Sequence, residues 1–201
     1  MSYAEALQRI EREVGAPLAP GSVAEAEAIA RFRAFFSSFE AGRIERLLDD
    51  TYAPDVWFND TLREISGREA LRAYLGHSAA AVEACKVEVD DVCGNGRGDY
   101  YFRWRMLIRF RKLRRGVDTR SIGMSHIRFD AQGRVLLHQD YWNAADGLYE
   151  HVPLLGAAIR AIKRRASGAA RMAGPRLSAP RFPGPPPWPA PARRSGARSG
   201  R

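Results

Sequence analysis

The chain has 201 residues, of which 45% are apolar and 27% charged, so its length and composition fit a globular protein with one hydrophobic core. Its net charge of +9 comes from the end of the sequence, where residues 153–201 hold 11 Lys and Arg and no Asp or Glu. Residues 1–152 hold 21 basic and 23 acidic residues. A nearly neutral folded part argues against a nucleic-acid-binding groove.

Signals for membrane insertion and metal binding are absent from the sequence. Residues 1–14 are charged and helical in pattern, unlike a signal peptide, and no apolar run approaches the roughly 20 residues of a membrane span. Cys85 and Cys93 have no nearby Cys or His pair that would complete a zinc site. No phosphate-binding glycine loop is present. We therefore predict a cytoplasmic protein with reduced cysteines and no metal or cofactor.

The first predicted helix follows a lead-in of uncertain structure over residues 1–21. Ser22 is a candidate N-cap, and apolar residues at helical spacing predict an amphipathic helix over about 23–41. Gly42 is expected to end this helix.

Two more helices flank a short predicted strand. The second helix carries Leu47 and Leu48 and ends before Pro54. Residues 55–60 follow as the strand, and the third helix begins at Ser66 or Gly67.

Four longer strands are predicted in the second half, over residues 85–92, 100–111, 118–129 and 134–142. The second of them alternates strictly between an apolar and a mostly basic face. Its apolar face holds Tyr100, Phe102, Trp104, Met106, Ile108 and Phe110, and its other face includes Arg103, Arg105, Arg109 and Arg111.

This order of elements predicts an α+β fold. Four strands in series should form an antiparallel meander whose apolar face is covered by the N-terminal helices. Strong curvature would turn the sheet into a cone with a closed bottom and an open mouth.

Several motifs resemble the nuclear transport factor 2-like superfamily, which includes ketosteroid isomerases and SnoaL-like polyketide cyclases. The resemblance covers about residues 26–148 and implies a cone-shaped domain over 22–148 with one small-molecule pocket. The motifs are Phe35-x3-Phe39-Glu-Ala-Gly42, Tyr52-Ala-Pro-Asp-Val-Trp-Phe-Asn-Asp60, Gly67-Arg-Glu-Ala-Leu-Arg-Ala-Tyr74, His126-Ile-Arg-Phe-Asp-Ala-Gln-Gly-Arg-Val135 and His138-Gln-Asp-Tyr-Trp142.

The resemblance to ketosteroid isomerases implies that Asp60, at the end of the first strand, stands at the position of the general base. Phe35 stands where these enzymes use a Tyr to bind the oxyanion, and it cannot donate a hydrogen bond. Ser125 stands at the position of the second donor. Loss of one oxyanion donor can lower a rate by roughly 10²–10³, so ketosteroid isomerisation is not favoured.

The last strand resembles SnoaL-like cyclases, which often carry His-Trp-Asp there and use the Asp as acid and base. The corresponding segment is His138-Gln-Asp140, which implies a catalytic role for Asp140. Because side chains alternate along a strand, His138, Asp140 and Trp142 should share one face, with the imidazole about 7 Å from the carboxylate.

The expected chemistry is cofactor-free acid–base catalysis on a hydrophobic carbonyl compound. A carboxylate in an apolar pocket has a raised pKa, and it can therefore both remove and return a proton near neutral pH. Asp140, Asp60 and His138 are the candidate catalytic residues. The candidate ligand-binding residues are Phe58, Phe102, Trp104, Ser125 and Trp142.

Structural explanations of the same residues stay open. Asp is common before a turn, so Asp60 could have a purely structural role, and His138 could be a core histidine. His126 should face away from the pocket, on a surface or interface. The alternative to an enzyme is therefore a non-catalytic ligand-binding or accessory domain. Epoxide hydrolysis on this scaffold needs an Asp–Arg–Asp set, and no Arg clearly completes one here.

The C-terminal region is predicted as a basic amphipathic helix over 149–166, followed by a disordered tail over 167–201 that is rich in Pro and Arg. This helix could dock on the domain, or residues 153–165 could lie on an anionic membrane surface as a peripheral contact. The other predicted partners are a small hydrophobic molecule and a second copy of the chain.

Overall fold

The computed structural model describes residues 1–170 except for 14, 38, 113–115 and 153. Contacts divide the chain into two units, Met1–Arg164 and Arg165–Arg201. The helices are α1 (Tyr3–Glu13), α2 (Val23–Phe36), α3 (Ala41–Thr51), α4 (Arg68–Ala81), α5 (Ala144–Gly147) and α6 (Leu155–Ala170), with a 3₁₀ turn at Tyr149–His151. The strands are β1 (Tyr52–Asn59), β2 (Glu64–Ser66), β3 (Val82–Gly94), β4 (Tyr100–Phe110), β5 (Thr119–Phe129) and β6 (Val135–Trp142).

Helix α2 begins as predicted and ends earlier than predicted. The Ser22 hydroxyl accepts a hydrogen bond from the Glu25 amide and caps the helix. The helix ends at Phe36 rather than near residue 41, because the Phe39 amide donates to the Cys85 carbonyl of β3. Gly42, predicted to end α2, instead lies in the first turn of α3.

The six strands form one curved sheet in the order β2-β1-β6-β5-β4-β3. The predicted antiparallel meander is confirmed for β3 through β6. The whole sheet is mixed, because β1, which lies outside the predicted meander, pairs with β6 in parallel. The pairing depends on which strand of the meander lies beside β1 in the folded protein. The local periodicity of the sequence does not encode that position. The parallel pairing aligns Phe58 with His138.

Helices α2, α3 and α4 cover the inner face of the sheet and form the main core with it. Aromatic contacts join the layers, as in Phe32 of α2 and Phe102 of β4, whose ring centroids are 4.5 Å apart. The predicted apolar face of β4 is the inner one, and its Tyr100, Phe102 and Trp104 are buried.

Helix α1 packs on the outer face of the sheet. Its Ala6 and Ile10 are buried in a second apolar cluster with Trp57 and Leu137. His126 also lies on this face, pointing away from the inner side as predicted. Of the predicted surface or interface position, the surface is excluded, because His126 is only 2% exposed and its ring contacts Tyr3 of α1.

The basic face of β4 is solvated and ion-paired. Arg103 pairs with Asp91, and Arg105 pairs with Asp90 at 2.8 Å. These partners come from the neighbouring strand β3, so they compensate the charges of Arg103 and Arg105 on the outer face.

Helix α6 continues past the predicted end at residue 166. Its Gly156 is buried, and Lys163 pairs with Glu150 at 2.5 Å, whereas Leu155 and Ile162 are exposed. None of the helices in the described ranges is long and apolar enough to span a bilayer. The tail predicted to be disordered lies, beyond residue 170, outside the described residues.

Gly123 provides a test of how tightly the sheet packs around Trp104. A Cβ on Gly123 would lie 2.4 Å from the Trp104 indole, whereas a Cβ on Gly76 in α4 would meet nothing within 4 Å. We expect Gly123→Ala to lower the unfolding free energy by about 1–3 kcal/mol through overpacking. Gly76→Ala should raise it by roughly 0.5–1 kcal/mol, because alanine is the better helix former. Urea denaturation measures both, and equal stability of Gly123→Ala and the parent protein would contradict the packing.

Candidate functional site

A cavity of about 270 Å³ lies between the inner face of the sheet and the helices. Its walls are mainly aromatic and aliphatic, and polar side chains are few. The lining residues include Phe36, Phe39, Phe58, Asp60, Tyr74, His77, Cys85, Trp104, Met106, Ser125, His138, Asp140 and Trp142. An apolar cavity with a few convergent polar groups is the usual form of a small-molecule site.

A chain of hydrogen bonds runs along one wall of this cavity. The Trp104 indole Nε1 donates to Ser125 Oγ over 2.9 Å, and Ser125 Oγ is 2.5 Å from Asp140 Oδ1. His138 Nε2 lies 2.8 Å from the same carboxylate oxygen, and His138 Nδ1 lies 2.8 Å from the Tyr52 hydroxyl. Side chains of four strands, β4, β5, β6 and β1, are therefore linked by hydrogen bonds that converge, through Ser125 and His138, on one carboxylate.

The chemistry of its members fixes the direction of this chain. An indole N–H only donates, so the Ser125 hydroxyl accepts from Trp104 and donates its own proton to Asp140. An ionised Asp140 only accepts, so neutral His138 carries its proton on Nε2. His138 Nδ1 is then an acceptor, and the Tyr52 hydroxyl donates to it. The arrangement holds the imidazole in one tautomer and one orientation.

Aromatic rings hold the His138 side chain in place. The centroids of Phe58, Phe32 and Phe36 lie 4.9, 5.4 and 5.6 Å from that of the imidazole. His138 is 1% exposed, and Tyr52 is fully buried behind it. Burial, together with the charge of Asp140, raises the pKa of the Tyr52 hydroxyl well above its ordinary value. Tyr52 therefore remains protonated and keeps its donor role.

Asp60 places a second carboxylate on the cavity wall. Tyr74 donates to its Oδ2 over 2.5 Å, and the amides of Leu62 and Arg63 each donate to its Oδ1 over 2.9 Å. Burial raises the pKa of Asp60, and the charge of Asp140 adds to this, although the hydrogen bonds oppose it. Asp60 therefore both closes the turn after β1 and presents a carboxyl group to the cavity.

Seven of the eight predicted site residues line the cavity: Asp60, Asp140, His138, Phe58, Trp104, Ser125 and Trp142. Phe102 is the exception, because it is fully buried in the core between Phe32 and Phe129. His138 and Asp140 share one face, but their side chains converge to 2.8 Å rather than the predicted separation of about 7 Å. The prediction measured spacing along the strand and took no account of side chains turning towards each other.

Two tyrosines of the site were missed by the sequence analysis. Tyr52 lies within a quoted motif, but its contact with His138 depends on the parallel pairing of β1 with β6. Tyr74 shares the apolar positions of α4, and no periodicity distinguishes its hydroxyl as a partner of Asp60.

Cys85 lines the cavity without the properties of a nucleophile. Burial raises the pKa of its thiol to about 12, so the reactive thiolate is scarce at neutral pH. Within the described part of the chain, no group of three or more His, Cys, Asp or Glu residues could hold a metal ion.

A family model described as a SnoaL-like domain matches residues 32–138. No curated protein matches the chain at the level of sequence.

Similar solved structures share the fold at low sequence identity. An LEH-like epoxide hydrolase of M. tuberculosis is 14% identical with a TM-score of 0.52, over 72% of this chain and 95% of that one. A protein of Shewanella denitrificans assigned as a SnoaL-like polyketide cyclase is 15% identical with a TM-score of 0.52, over 62% and 94%. A ketosteroid isomerase-like protein of Catenulispora acidiphila, solved with trimethylamine, is 14% identical with a TM-score of 0.51, over 61% and 89%.

The hydrogen bond from Tyr74 should affect the pKa of Asp60. The Tyr74 hydroxyl stabilises the ionised carboxylate, so Tyr74→Phe should raise the pKa of Asp60 further above that of a free Asp. Carbon-detected NMR titration of the Asp60 carboxyl group measures this. Tyr100→Phe removes an equivalent bond to Glu25 elsewhere and should leave the Asp60 pKa unchanged. A lower Asp60 pKa in Tyr74→Phe would contradict the assignment.

The hydrogen bond from the Tyr52 hydroxyl to His138 should stabilise the folded protein. Tyr52→Phe leaves His138 Nδ1 buried without a donor, which should lower the unfolding free energy by about 1–3 kcal/mol. Tyr101→Phe is a matched control, because Tyr101 lies on the outer face and stacks on His126 through its ring. It should change stability by less than about 0.5 kcal/mol. Equal unfolding midpoints in urea for the two variants would argue against the bond to His138.

Proposed function

This chain belongs to the SnoaL-like domain family, within the nuclear transport factor 2-like superfamily, and we propose that it catalyses cofactor-free acid–base chemistry on a hydrophobic carbonyl compound. The observation that carries the proposal is the hydrogen-bonded chain Tyr52–His138–Asp140–Ser125 on the wall of an apolar cavity. A buried carboxylate with an oriented imidazole beside it is suited to moving a proton.

Asp140 is the base of the proposed reaction. Both of its hydrogen bonds from the described residues go to Oδ1, so Oδ2 is available to take a proton from the carbon next to a carbonyl group. The donors on Oδ1 keep the carboxylate in one orientation. The electron pair of the broken C–H bond then moves to the carbonyl oxygen and forms an enolate.

Asp60 is the acid of the proposed reaction. Its raised pKa increases the fraction of the protonated form, which can deliver a proton to the developing oxyanion. Tyr74 holds this carboxyl group at the cavity wall. In an isomerisation, Asp140 returns its proton to a different carbon and Asp60 takes back the proton from oxygen. In an intramolecular aldol closure, the enolate carbon attacks a second carbonyl carbon and Asp60 protonates the new alkoxide, so the proposed reaction class is a cyclase or isomerase.

A ligand-binding domain without chemistry is the second candidate. One specific observation favours it: Phe35, at the position of the oxyanion-binding Tyr of ketosteroid isomerases, is buried and has no hydroxyl group. Epoxide hydrolysis is less well supported, because no Arg lies among the described residues that line the cavity.

The remaining predictions concern partners, location and boundaries, and they stay predictions. A second copy of the chain is proposed to cover the exposed Ile122, Met124 and Tyr141 of the sheet. An anionic membrane surface is proposed to contact the exposed Leu155 and Ile162 of α6. Cytoplasmic location and the domain limits at 22–148 are likewise proposals.

The ligand class can be measured directly. Native mass spectrometry of the protein purified from its host, followed by extraction, should identify a bound hydrophobic carbonyl compound. Recovery of a ligand without a carbonyl group, unchanged after incubation, would favour the non-catalytic candidate.

Replacement of Asp140 tests the catalytic role. With the recovered compound as substrate, Asp140→Asn should lower turnover by roughly 10²–10⁴, the usual contribution of a general base. Asp91→Asn removes an exposed carboxylate of the outer face that pairs with Arg103 and should leave turnover unchanged. Unaltered turnover in Asp140→Asn would refute the assignment. Circular dichroism checks that the variant is folded, so that a loss of turnover is not caused by unfolding.

A further inference from the structure

The charges at the cavity are arranged differently from those on the rest of the domain. On the outer face, Asp90, Asp99 and Asp118 each pair with an Arg. Asp60 and Asp140 have no Lys or Arg partner among the described residues, and neither residue type lines the cavity there. Their hydrogen-bond donors are the neutral hydroxyl, imidazole and amide groups described above.

The two cavity carboxylates act on each other electrostatically. The charge of Asp140 contributes to the raised pKa of Asp60, so a negative charge on one of these carboxyl groups disfavours a negative charge on the other. The neutral form of His138, whose Nδ1 accepts from Tyr52, supplies no counter-charge. A negatively charged ligand would add to this repulsion, whereas a positively charged ligand would be attracted to Asp140 and would favour the ionised form of Asp60.

The apolar walls reinforce the same preference. Eight aromatic side chains line the cavity: Phe32, Phe36, Phe39, Phe58, Tyr74, Trp104, Phe110 and Trp142. The faces of aromatic rings are electron-rich and attract cations, most strongly where water is excluded. The walls therefore accept both the apolar body and a cationic end of one ligand.

We infer that the cavity selects an apolar compound bearing a protonated amine and rejects carboxylates and phosphates. The inference rests on the proposed use of this cavity as the ligand site, and it narrows the substrate class to a hydrophobic aminocarbonyl compound. It adds no step to the reaction, because the amine is a recognition group that remains unchanged.

Three compounds with one skeleton and different charges provide the test: 3-phenylpropylamine, 3-phenylpropan-1-ol and 3-phenylpropanoate. Near pH 7.5 they are cationic, neutral and anionic. Isothermal titration calorimetry measures their affinities, with Trp fluorescence as a second reading because Trp104 and Trp142 line the cavity. We expect the amine to bind roughly tenfold or more tightly than the alcohol and the carboxylate to bind most weakly.

Variants identify the source of the preference. Asp60→Asn and Asp140→Asn should each reduce the ratio of amine to alcohol affinity several-fold, while affinity for the alcohol is retained and reports an intact cavity. Asp91→Asn removes the same charge from the outer face and should leave the ratio unchanged. A ratio that falls equally in all three variants would mean that overall charge, not the cavity, sets the preference, and would overturn the inference.

The binding test and the turnover test can fail independently. Equal affinity for amine and alcohol, or tighter binding of the carboxylate, would overturn this inference alone. Unaltered turnover in Asp140→Asn would overturn the catalytic proposal while a measured amine preference stands. Failure of all three compounds to bind would also overturn this inference, and the catalytic proposal would then depend on the turnover test alone.

Discussion

Asp140 places a carboxylate in a largely apolar space, and the structure around it depends on satisfying that group. A buried carboxylate without hydrogen bonds or a counter-charge strongly disfavours the folded state. Here Ser125 and His138 donate to it, and Trp104 and Tyr52 in turn fix those two donors. This series of hydrogen bonds forms only if β4, β5, β6 and β1 keep their register. The need to provide hydrogen-bond donors for the Asp140 carboxylate therefore constrains four strands.

Carboxylates on the two faces of the sheet have different hydrogen-bond and ion-pair partners. On the outer face Asp99 accepts from His126 and Arg128, and Tyr3 closes this network from α1. Burial outweighs the effect of Asp99 and lowers the pKa of His126, which therefore stays neutral near pH 7. On the inner face the carboxylates rely on neutral donors. Arginine thus pairs with the partly buried Asp99 of the outer face, whereas no Lys or Arg among the described residues pairs with Asp60 or Asp140 on the inner face.

The family relationship explains the scaffold and leaves the chemistry to particular residues. Solved structures that share this fold at 14–15% identity differ in the activities ascribed to them, as expected where function depends on the residues of a site rather than on the fold. In this chain Phe35 provides no oxyanion donor, and Ser125 serves the carboxylate of Asp140. The site is therefore built around the hydrogen-bonded His138 and Asp140 of the last strand.

Local sequence patterns determined most of the elements and one side of the site. Strict alternation along β4 and β6 decides which side chains face inward, so the shared face of His138, Asp140 and Trp142 could be predicted from the sequence. Tertiary structure decided the rest. The parallel pairing of β1 with β6 brings Tyr52 to His138, the fold of the chain lays α1 over His126, and Phe102 falls in the core rather than at the cavity. Such contacts join residues distant in sequence, and periodicity specifies a face of an element without specifying what will pack against it.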